Sequence, residues 1–269
     1  MVESLSELNK ICQKPRYREA GNWMVRKFLR DAALPVTWLL LHTPVTANQV
    51  TLVSLLIGLM GIGLFACPSP GAFLWGVILL QLWYFLDHVD GQIARYRKTA
   101  CLTGRFFDFL THHVIHGALF FALGFYAFGK LGSPRWIVWG ALASFSIMIF
   151  NLLQDTKTKT FVEKLMAFKT VEVKSPPAVS SFVETKRSGL HRTFSLLHKL
   201  CEIHVLMNIL TAAAILQFAL RLPLDFRLIL LVAYGVIMPI LAISKSVVWI
   251  TRHKVDEDFS RHFHVSDRD

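Results

Sequence analysis

The sequence predicts an all-α integral membrane protein, with six transmembrane helices preceded by an N-terminal interfacial amphipathic helix. Three observations predict it. Hydrophobic residues make up 54% of the chain and charged residues only 17%, where a soluble domain carries about 25% charged residues. The apolar residues are gathered into runs of about 20, the length that crosses the hydrocarbon core as a helix. The basic residues, which bring the net charge to +11, lie between those runs, where Lys and Arg set topology and meet anionic lipid. That placement accounts for the charge without nucleic acid, which is not an expected partner.

Residues 1–34 form a basic N-terminal arm. Trp23, Met24, Phe28 and Leu29 alternate with Arg26, Lys27 and Arg30, the pattern of a helix lying in the interface plane. The arm is too polar to read as a cleavable signal peptide. Residues 35–42 are apolar but too short to span, and His42-Thr43-Pro44 breaks them. Asn48 then stands before a long apolar run, where its side chain is placed to cap a helix.

Six spans follow, at about 49–67, 71–87, 105–128, 135–153, 203–220 and 227–249. Short turns join them in pairs through Pro68-Ser69-Pro70-Gly71, Gly132-Ser133-Pro134 and Arg221-Leu222-Pro223, all turn-forming sequences. Residues 35–253 thus make one membrane domain, with a basic loop at 154–202 inserted and a tail at 254–269. Within that loop Phe161, Val162, Leu165, Met166 and Phe168 stand among lysines. They read either as a surface-lying helix or as a solvated connector, with a loop around Pro176-Pro177.

The distribution of Lys and Arg orients the spans. The N-terminal arm carries seven, the segment from Asp90 to Arg105 four, residues 154–202 nine and the tail from Lys245 five, while the three short turns share Lys130, Arg135, Arg221 and Arg227. Both termini and the two longer loops are therefore expected on the cytosolic side. The four cysteines, Cys12, Cys67, Cys101 and Cys201, are scattered and suggest neither a disulfide framework nor a zinc site.

The chemistry concentrates between Asp87 and His113, in DHVDGQIARYRKTACLTGRFFDFLTHH. Carboxylates in a membrane span cost about 2.5–3.5 kcal/mol each by insertion scales, and three brought together repel one another. Divalent cations remove both objections. Asp87, Asp90 and Ala94 share one helical face, as do Gly104, Asp108 and His112. The residues between Ala94 and Gly104 suffice to turn the chain, so that two antiparallel helices present three carboxylates and an imidazole at the cytosolic boundary. Such an oxygen-rich site suits Mg²⁺, Mn²⁺ or Ca²⁺. Gly91, Ala94 and Gly104 let a nucleotide or second helix approach the backbone closely. Arg95 is placed to hold a phosphate bidentately.

This stretch resembles the signature of the CDP-alcohol phosphotransferases (CDP-alcohol phosphatidyltransferases), DxxDGxxAR, eight residues, then GxxxDxxxD. Here it reads Asp87-x-x-Asp90-Gly91-x-x-Ala94-Arg95, residues 96–103, then Gly104-x-x-x-Asp108-x-x-x-His112. Residues 44–55 (PVTANQVTLVSL) also resemble the family's Asn-x-x-Thr lead into its first span. The resemblance implies a six-helix fold, a homodimer, and a polar cavity open to the cytosol. It implies that Asp87, Asp90 and Asp108 bind Mg²⁺ or Mn²⁺, in a site for two metals, and that Asn48, Thr51, Gly91, Ala94, Arg95 and Gly104 surround the cytidine diphosphate of a CDP-linked donor. An alcohol acceptor would attack the phosphorus distal to cytidine, CMP would leave, and the product would enter phospholipid biosynthesis.

The last motif position departs from the family, with His112 where an aspartate is expected. Three roles are open to it. It replaces the aspartate as catalytic base, since a neutral imidazole, ordinarily with a pKa near 6.5 against about 3.9 for Asp, is the stronger base at pH 7. It binds the second metal through nitrogen and favours a softer ion such as Mn²⁺ or Zn²⁺. Or it marks a weakened second metal site and a changed or lost reaction. His116 shares the face of His112 and is a candidate to orient it or to contact a substrate phosphate, whereas His113, one residue off the stripe, reads as a packing residue.

The motif leaves the acceptor open among glycerol phosphate, inositol phosphate, serine and a lipid headgroup, or diacylglycerol with a small CDP-alcohol as donor. For a phosphate-bearing acceptor Arg105, Arg97 and Lys98 are the candidate contacts. Two other classes compete. One is a non-catalytic CDP- and metal-binding membrane protein. The other is a cation channel or transporter, in which the glycine, alanine and arginine spacing has no role.

Overall fold

A computed structural model describes residues 2–13, 24–168, 171–173, 199–220 and 224–265. Among them the chain is an all-α bundle with six helices long and apolar enough to cross a membrane. α1 (Leu5–Cys12) and α2 (Arg30–Leu41) precede the spans, with a π-helical turn at Val25–Leu29 leading into α2. The spans are α3 (Ala47–Phe65), α4 (Pro70–Tyr96), α5 (Leu102–Leu131), α6 (Arg135–Met166), α7 (Ile203–Leu220) and α8 (Phe226–Thr251). α9 (Lys254–His262) follows, and the described part ends in a short antiparallel pair, β1 (Val171–Val173) with β2 (Phe263–Val265).

Local sequence explains where the spans begin. α3 starts in a capping box: Thr46 Oγ1 accepts from the Gln49 amide at 3.3 Å, and Gln49 Oε1 accepts from the Thr46 amide at 2.8 Å. The cap is therefore Thr46, not Asn48 as the apolar run alone suggests, because only the Thr46–Gln49 spacing satisfies two helix-end groups reciprocally. Asn48 lies in the first turn. Ser69 caps α4, with Pro70 in its first turn, and Asp225 caps α8 through the Arg227 amide at 3.1 Å. Gly132 ends α5 at a φ of 72°, a left-handed residue that glycine supplies without steric cost. The turn at Arg221–Pro223 lies outside the described residues, as does the Pro176-Pro177 loop.

Three spans outrun their apolar segments. α4 continues to Tyr96 and α6 to Met166 without a break, and α5 starts at Leu102. At 1.5 Å per residue, helices of 27 to 32 residues reach about 40–48 Å, beyond a hydrocarbon core of about 30 Å. Asp90, Gly91, Ala94 and Arg95 sit on the extension of α4 and Gly104 on that of α5. Phe161, Val162, Leu165 and Met166 belong to the end of α6 rather than to a separate surface helix.

α3 packs on α4 and α5, α5 on α6, α6 on α8, and α4 on α7. The core runs between them through Phe65, Phe73, Leu80, Trp83, Ile115, Leu119 and Met238, while Leu56, Trp75, Val138, Phe145 and Ile243 face outward, as lipid contact requires. Glycines set the closest approaches. A Cβ on Gly76 would lie 2.6 Å from the Gly61 carbonyl oxygen, and one on Gly140 would lie 2.8 Å from Gly124 Cα, so α3–α4 and α5–α6 each touch backbone to backbone.

A second, smaller core joins the N-terminal arm to the bundle. Leu8 and Cys12 of α1 and Ala33 and Leu34 of α2 are buried with Val89 and Ile93 of α4. Thr37 donates to Gln92 Oε1 at 2.7 Å, Arg95 Nε donates to the Cys12 carbonyl, and Tyr96 donates to Glu3. The Cys12 thiol is pushed up to about 11 by burial. Of the residues whose alternation marked this arm, Phe28 is exposed and Met24 and Leu29 pack against the main core, and Trp23 lies outside the described residues.

Candidate active site

The start of α3, the end of α4 and the start of α5 enclose a cavity of about 1080 Å³. α4 places Asp87, Asp90, Gly91, Ala94 and Arg95 on its wall. α5 opposes them with Gly104, Arg105, Asp108 and His112, and α3 adds Asn48 and Thr51. Of the candidate site residues named from sequence, all but His116 and Lys98 therefore line one chamber. Residues 97–101 make the turn between the two motif helices, with Lys98 at a φ of 54°. Arg97 anchors that turn, donating to the Val45 and Thr43 carbonyls at 2.7 and 2.6 Å. Its guanidinium thus clamps the turn while also lining the cavity. Cys101 caps α5, accepting from the Gly104 amide at 3.4 Å.

At the centre His112 Nε2 stands 3.1 Å from Asp87 Oδ1 and 3.4 Å from Asp108 Oδ1. The Trp83 ring meets the imidazole edge-on, with centroids 5.0 Å apart. Asp87, Asp108 and His112 offer three ligand atoms that all lie within 4.8 Å of one another. Asp108 Oδ1 is buried, and beyond the His112 Nε2 approach at 3.4 Å it makes no hydrogen bond among the described residues, so it has capacity for a cation. This donor set fits a divalent ion.

Asp90 stands apart from that cluster. Its Oδ2 accepts from Thr51 Oγ1 at 2.5 Å, with both residues buried. Thr51 therefore orients a carboxylate as well as lining the cavity. Arg95 turns its guanidinium toward Gly91, where a Cβ would lie 3.1 Å from Nη1. Asn48 Oδ1 faces Gly104 across the chamber, 3.4 Å from where a Cβ would lie.

The structure does not bring His116 to the cavity. It is buried, with Nδ1 3.0 Å from Asn151 Nδ2. His112 reaches Asp87 of α4 whereas His116 meets Asn151 of α6, so the shared helical face does not mean a shared environment. His113 is not a plain packing residue either, since its Nε2 pairs with Asp155 Oδ2 at 3.0 Å.

Sequence reasoning missed several wall residues. Tyr84, His88 and Gln92 line the chamber on the α4 stripe beside the aspartates, and His88 Nδ1 donates to the Tyr84 carbonyl at 2.9 Å. Their i, i+4, i+8 spacing, in step with Asp87 and Gly91, was the available signal. Arg30 and Gln13 come from the N-terminal arm, and no local pattern marks them.

A family model described as CDP-alcohol phosphatidyltransferase matches residues 44–175, the stretch that holds α3, both motif helices and α6. Over that stretch the chain is similar to the CDP-alcohol phosphatidyltransferase family. Among curated proteins, a phosphatidylinositol phosphate synthase of Corynebacterium glutamicum is 32% identical over 109 residues, 40% of this chain and 48% of that protein. One of Streptomyces avermitilis is 27% identical over 174 residues, 64% of this chain and 68% of that protein. The chain spans about half the length of the Corynebacterium relative. Within the CDP-alcohol phosphatidyltransferase pattern the seven matching positions all line the cavity, and so does the departing one, His112.

Proposed function

We propose that this protein is a membrane transferase that moves a substituted phosphate from a CDP-linked donor to an alcohol, releasing CMP, in phospholipid biosynthesis. The observation that carries the reading is the convergence of Asp87, Asp108 and His112 within 4.8 Å in the wall of the cavity, on a gapped pattern that also supplies Gly91, Ala94, Arg95 and Gly104.

In this reading Asp87 and Asp108 would hold Mg²⁺ or Mn²⁺, with Asp90, apart from them on the same wall, as a further ligand; the bound ion would offset the charge on the diphosphate and on departing CMP. Thr51 keeps the Asp90 carboxylate aimed by its hydrogen bond. Gly91 and Gly104 leave room for the nucleotide beside the backbone, with Asn48 and Arg95 on either side. His112 takes the acceptor's hydroxyl proton. Its Nε2–H donates to Asp87 Oδ1, which fixes the ring, so that Nδ1 is the nitrogen that would take the proton when the imidazole is neutral. The carboxylate orients the base, as in other base–carboxylate pairs.

The relatives' names favour a phosphorylated polyol such as inositol phosphate as acceptor. Arg105, on the wall and 6.0 Å from the centroid of the Phe109 ring, is a candidate contact for it. The Lys and Arg distribution supports a cytosol-facing cavity and cytosolic termini. The outward aromatic stripe of Phe106, Phe121 and Phe125 on α5 is compatible with a homodimer.

Incubating the purified, reconstituted protein with a panel of CDP-donors and alcohols, with mass spectrometry of the lipid product, tests the reading. One pair should yield CMP and a new phosphodiester in equal amounts. Nucleotide binding with no CMP release from any pair would instead mean a non-catalytic binding protein, and ion flux in vesicles would mean a channel.

A further inference from the structure

Trp83 does not line the cavity but touches a residue that does. It is fully buried, one helical turn before Asp87 on α4. Its ring meets the His112 imidazole at a centroid distance of 5.0 Å and an interplanar angle of 65°. Gly58 of α3 makes the space for it. A Cβ there would lie 3.0 Å from Trp83 Cγ and 2.7 Å from Ile115 Cδ1, so a larger residue would push the indole or Ile115 aside. Three spans thus converge on one ring: α3 leaves the gap, α4 fills it, and α5 brings the imidazole against the filled surface.

Among the described residues the polar contacts of the imidazole fall on one atom. Nε2 lies 3.1 Å from Asp87 Oδ1 and 3.4 Å from Asp108 Oδ1. That nitrogen stands close to the Cβ–Cγ axis about which the ring turns, so bonds to it restrain the turn weakly. Nδ1 stands farther from the axis and swings with it. An aspartate at this position would need no further restraint, because its two carboxylate oxygens are equivalent. An imidazole does need one, because its two nitrogens are distinct and a single ring plane points Nδ1 in a given direction. A buried indole packed edge-to-face against the ring, an arrangement aromatic pairs prefer, supplies that restraint.

We propose that Trp83 is a positioning residue for the transfer step: its indole fixes the ring plane of His112 and so holds Nδ1 toward the acceptor hydroxyl. The effect on rate rests on the reading of His112 as base; the held ring does not. In an apolar span a tryptophan otherwise serves as core packing, and packing alone would matter equally with histidine or aspartate at position 112. The pairing of Trp83 with His112 thus accompanies the one motif position at which this chain departs from the pattern.

Two measurements on the full-length protein test it. In the first, CMP release at saturating substrates is compared for wild type, Trp83→Met and Trp83→Phe, each with His112 and again with His112→Asp. Methionine fills irregular gaps but is flexible and has no ring. With His112 in place, Trp83→Met should lower kcat about threefold to tenfold, the size of an aromatic pair's contribution, and leave the KM for the CDP-linked donor within about twofold. Trp83→Phe should restore most of the rate. With His112→Asp the methionine substitution should change kcat less than about twofold. Equal losses in the two backgrounds mean packing alone and overturn the proposal, as does an unchanged kcat with His112 in place. The second measurement needs no turnover, so it decides on Trp83 even where no donor releases CMP. In EDTA, NMR of isotope-labelled histidine identifies the His112 ring signals by their loss in His112→Asp. They should form one set in wild type, shifted by the indole, and should broaden or split in Trp83→Met. An unchanged set in Trp83→Met overturns the proposal. So do several sets in wild type, a result that stands even if the methionine variant does not fold.

Discussion

Thr51 Oγ1 lies 2.5 Å from Asp90 Oδ2, a buried hydroxyl on α3 given to a buried carboxylate on α4. It ties the first span to the motif helix within the cavity wall. Removing the donor leaves the carboxylate with an unmade bond, which costs about 1–3 kcal/mol or more for a charged group. Thr51→Val should therefore lower the Tm in detergent and weaken CMP binding, while Thr51→Ser restores both. Normal CMP binding by the valine variant would show that Asp90 needs no orienting.

His112 stands where two carboxylates converge, 3.1 Å from Asp87 and 3.4 Å from Asp108. His112→Ala should lose CMP release by a factor of about 10² or more, the contribution expected of general base catalysis, with nucleotide binding largely kept. His112→Asp restores a carboxylate at the last motif position and should keep more activity than alanine. Steady-state CMP release with CMP binding measured in parallel decides it, and full activity in the alanine variant means that His112 is not the base.

Asp225, just outside the last span, predicts an acid dependence of stability. Burial pushes its carboxyl up, but hydrogen bonds from Lys130 and Tyr126 and the charge of Arg227 outweigh burial and hold it below the ordinary carboxylate range. Lys130 Nζ is 2.5 Å from Oδ2. A carboxyl lowered in the folded state stabilises fully above its unfolded value, near 3.9, and that stability is lost as pH falls through the lower folded value. Melting between pH 7 and pH 2 should show a step in wild type below pH 4 that Asp225→Asn lacks, with the variant less stable at pH 7.

The glycine contacts separate two kinds of position. Gly76→Ala would press a Cβ to 2.6 Å from the Gly61 carbonyl oxygen and 2.7 Å from the Phe65 ring. Because backbone must move, a loss of about 1–3 kcal/mol is expected. Gly63 has nothing within 4 Å of an added Cβ, and Gly63→Ala should leave the Tm unchanged or slightly raised, since alanine favours helix. Thermal melts of both variants in the same detergent make the comparison.

Much of this arrangement is legible in the sequence because membranes reward a simple signal. Apolar runs of span length mark all six helices, and the period of α4 and α5 brings Asp87, Asp108 and His112 together as the structure has them. What stays hidden depends on contacts between distant segments. Helix α4 runs on past Asp87 because Val89 and Ile93 are covered by α1 and α2, which hydropathy does not report. The place of His116 depends on Asn151, 35 residues away, and that of Arg30 on a π turn and on Gln92. Thr46 rather than Asn48 caps α3 because a cap is defined by its partner, Gln49, as much as by its own side chain.

The central claim is that a divalent ion held by the motif carboxylates supports transfer from a CDP-linked donor. The most direct measurement is CMP release and phosphodiester formation by reconstituted wild type and Asp108→Asn, in EDTA and then across a titration of Mg²⁺ or Mn²⁺. The account predicts equal amounts of CMP and product from wild type only when the ion is present, and neither from Asp108→Asn at any concentration. Undiminished turnover in EDTA, or full activity in Asp108→Asn, would contradict it.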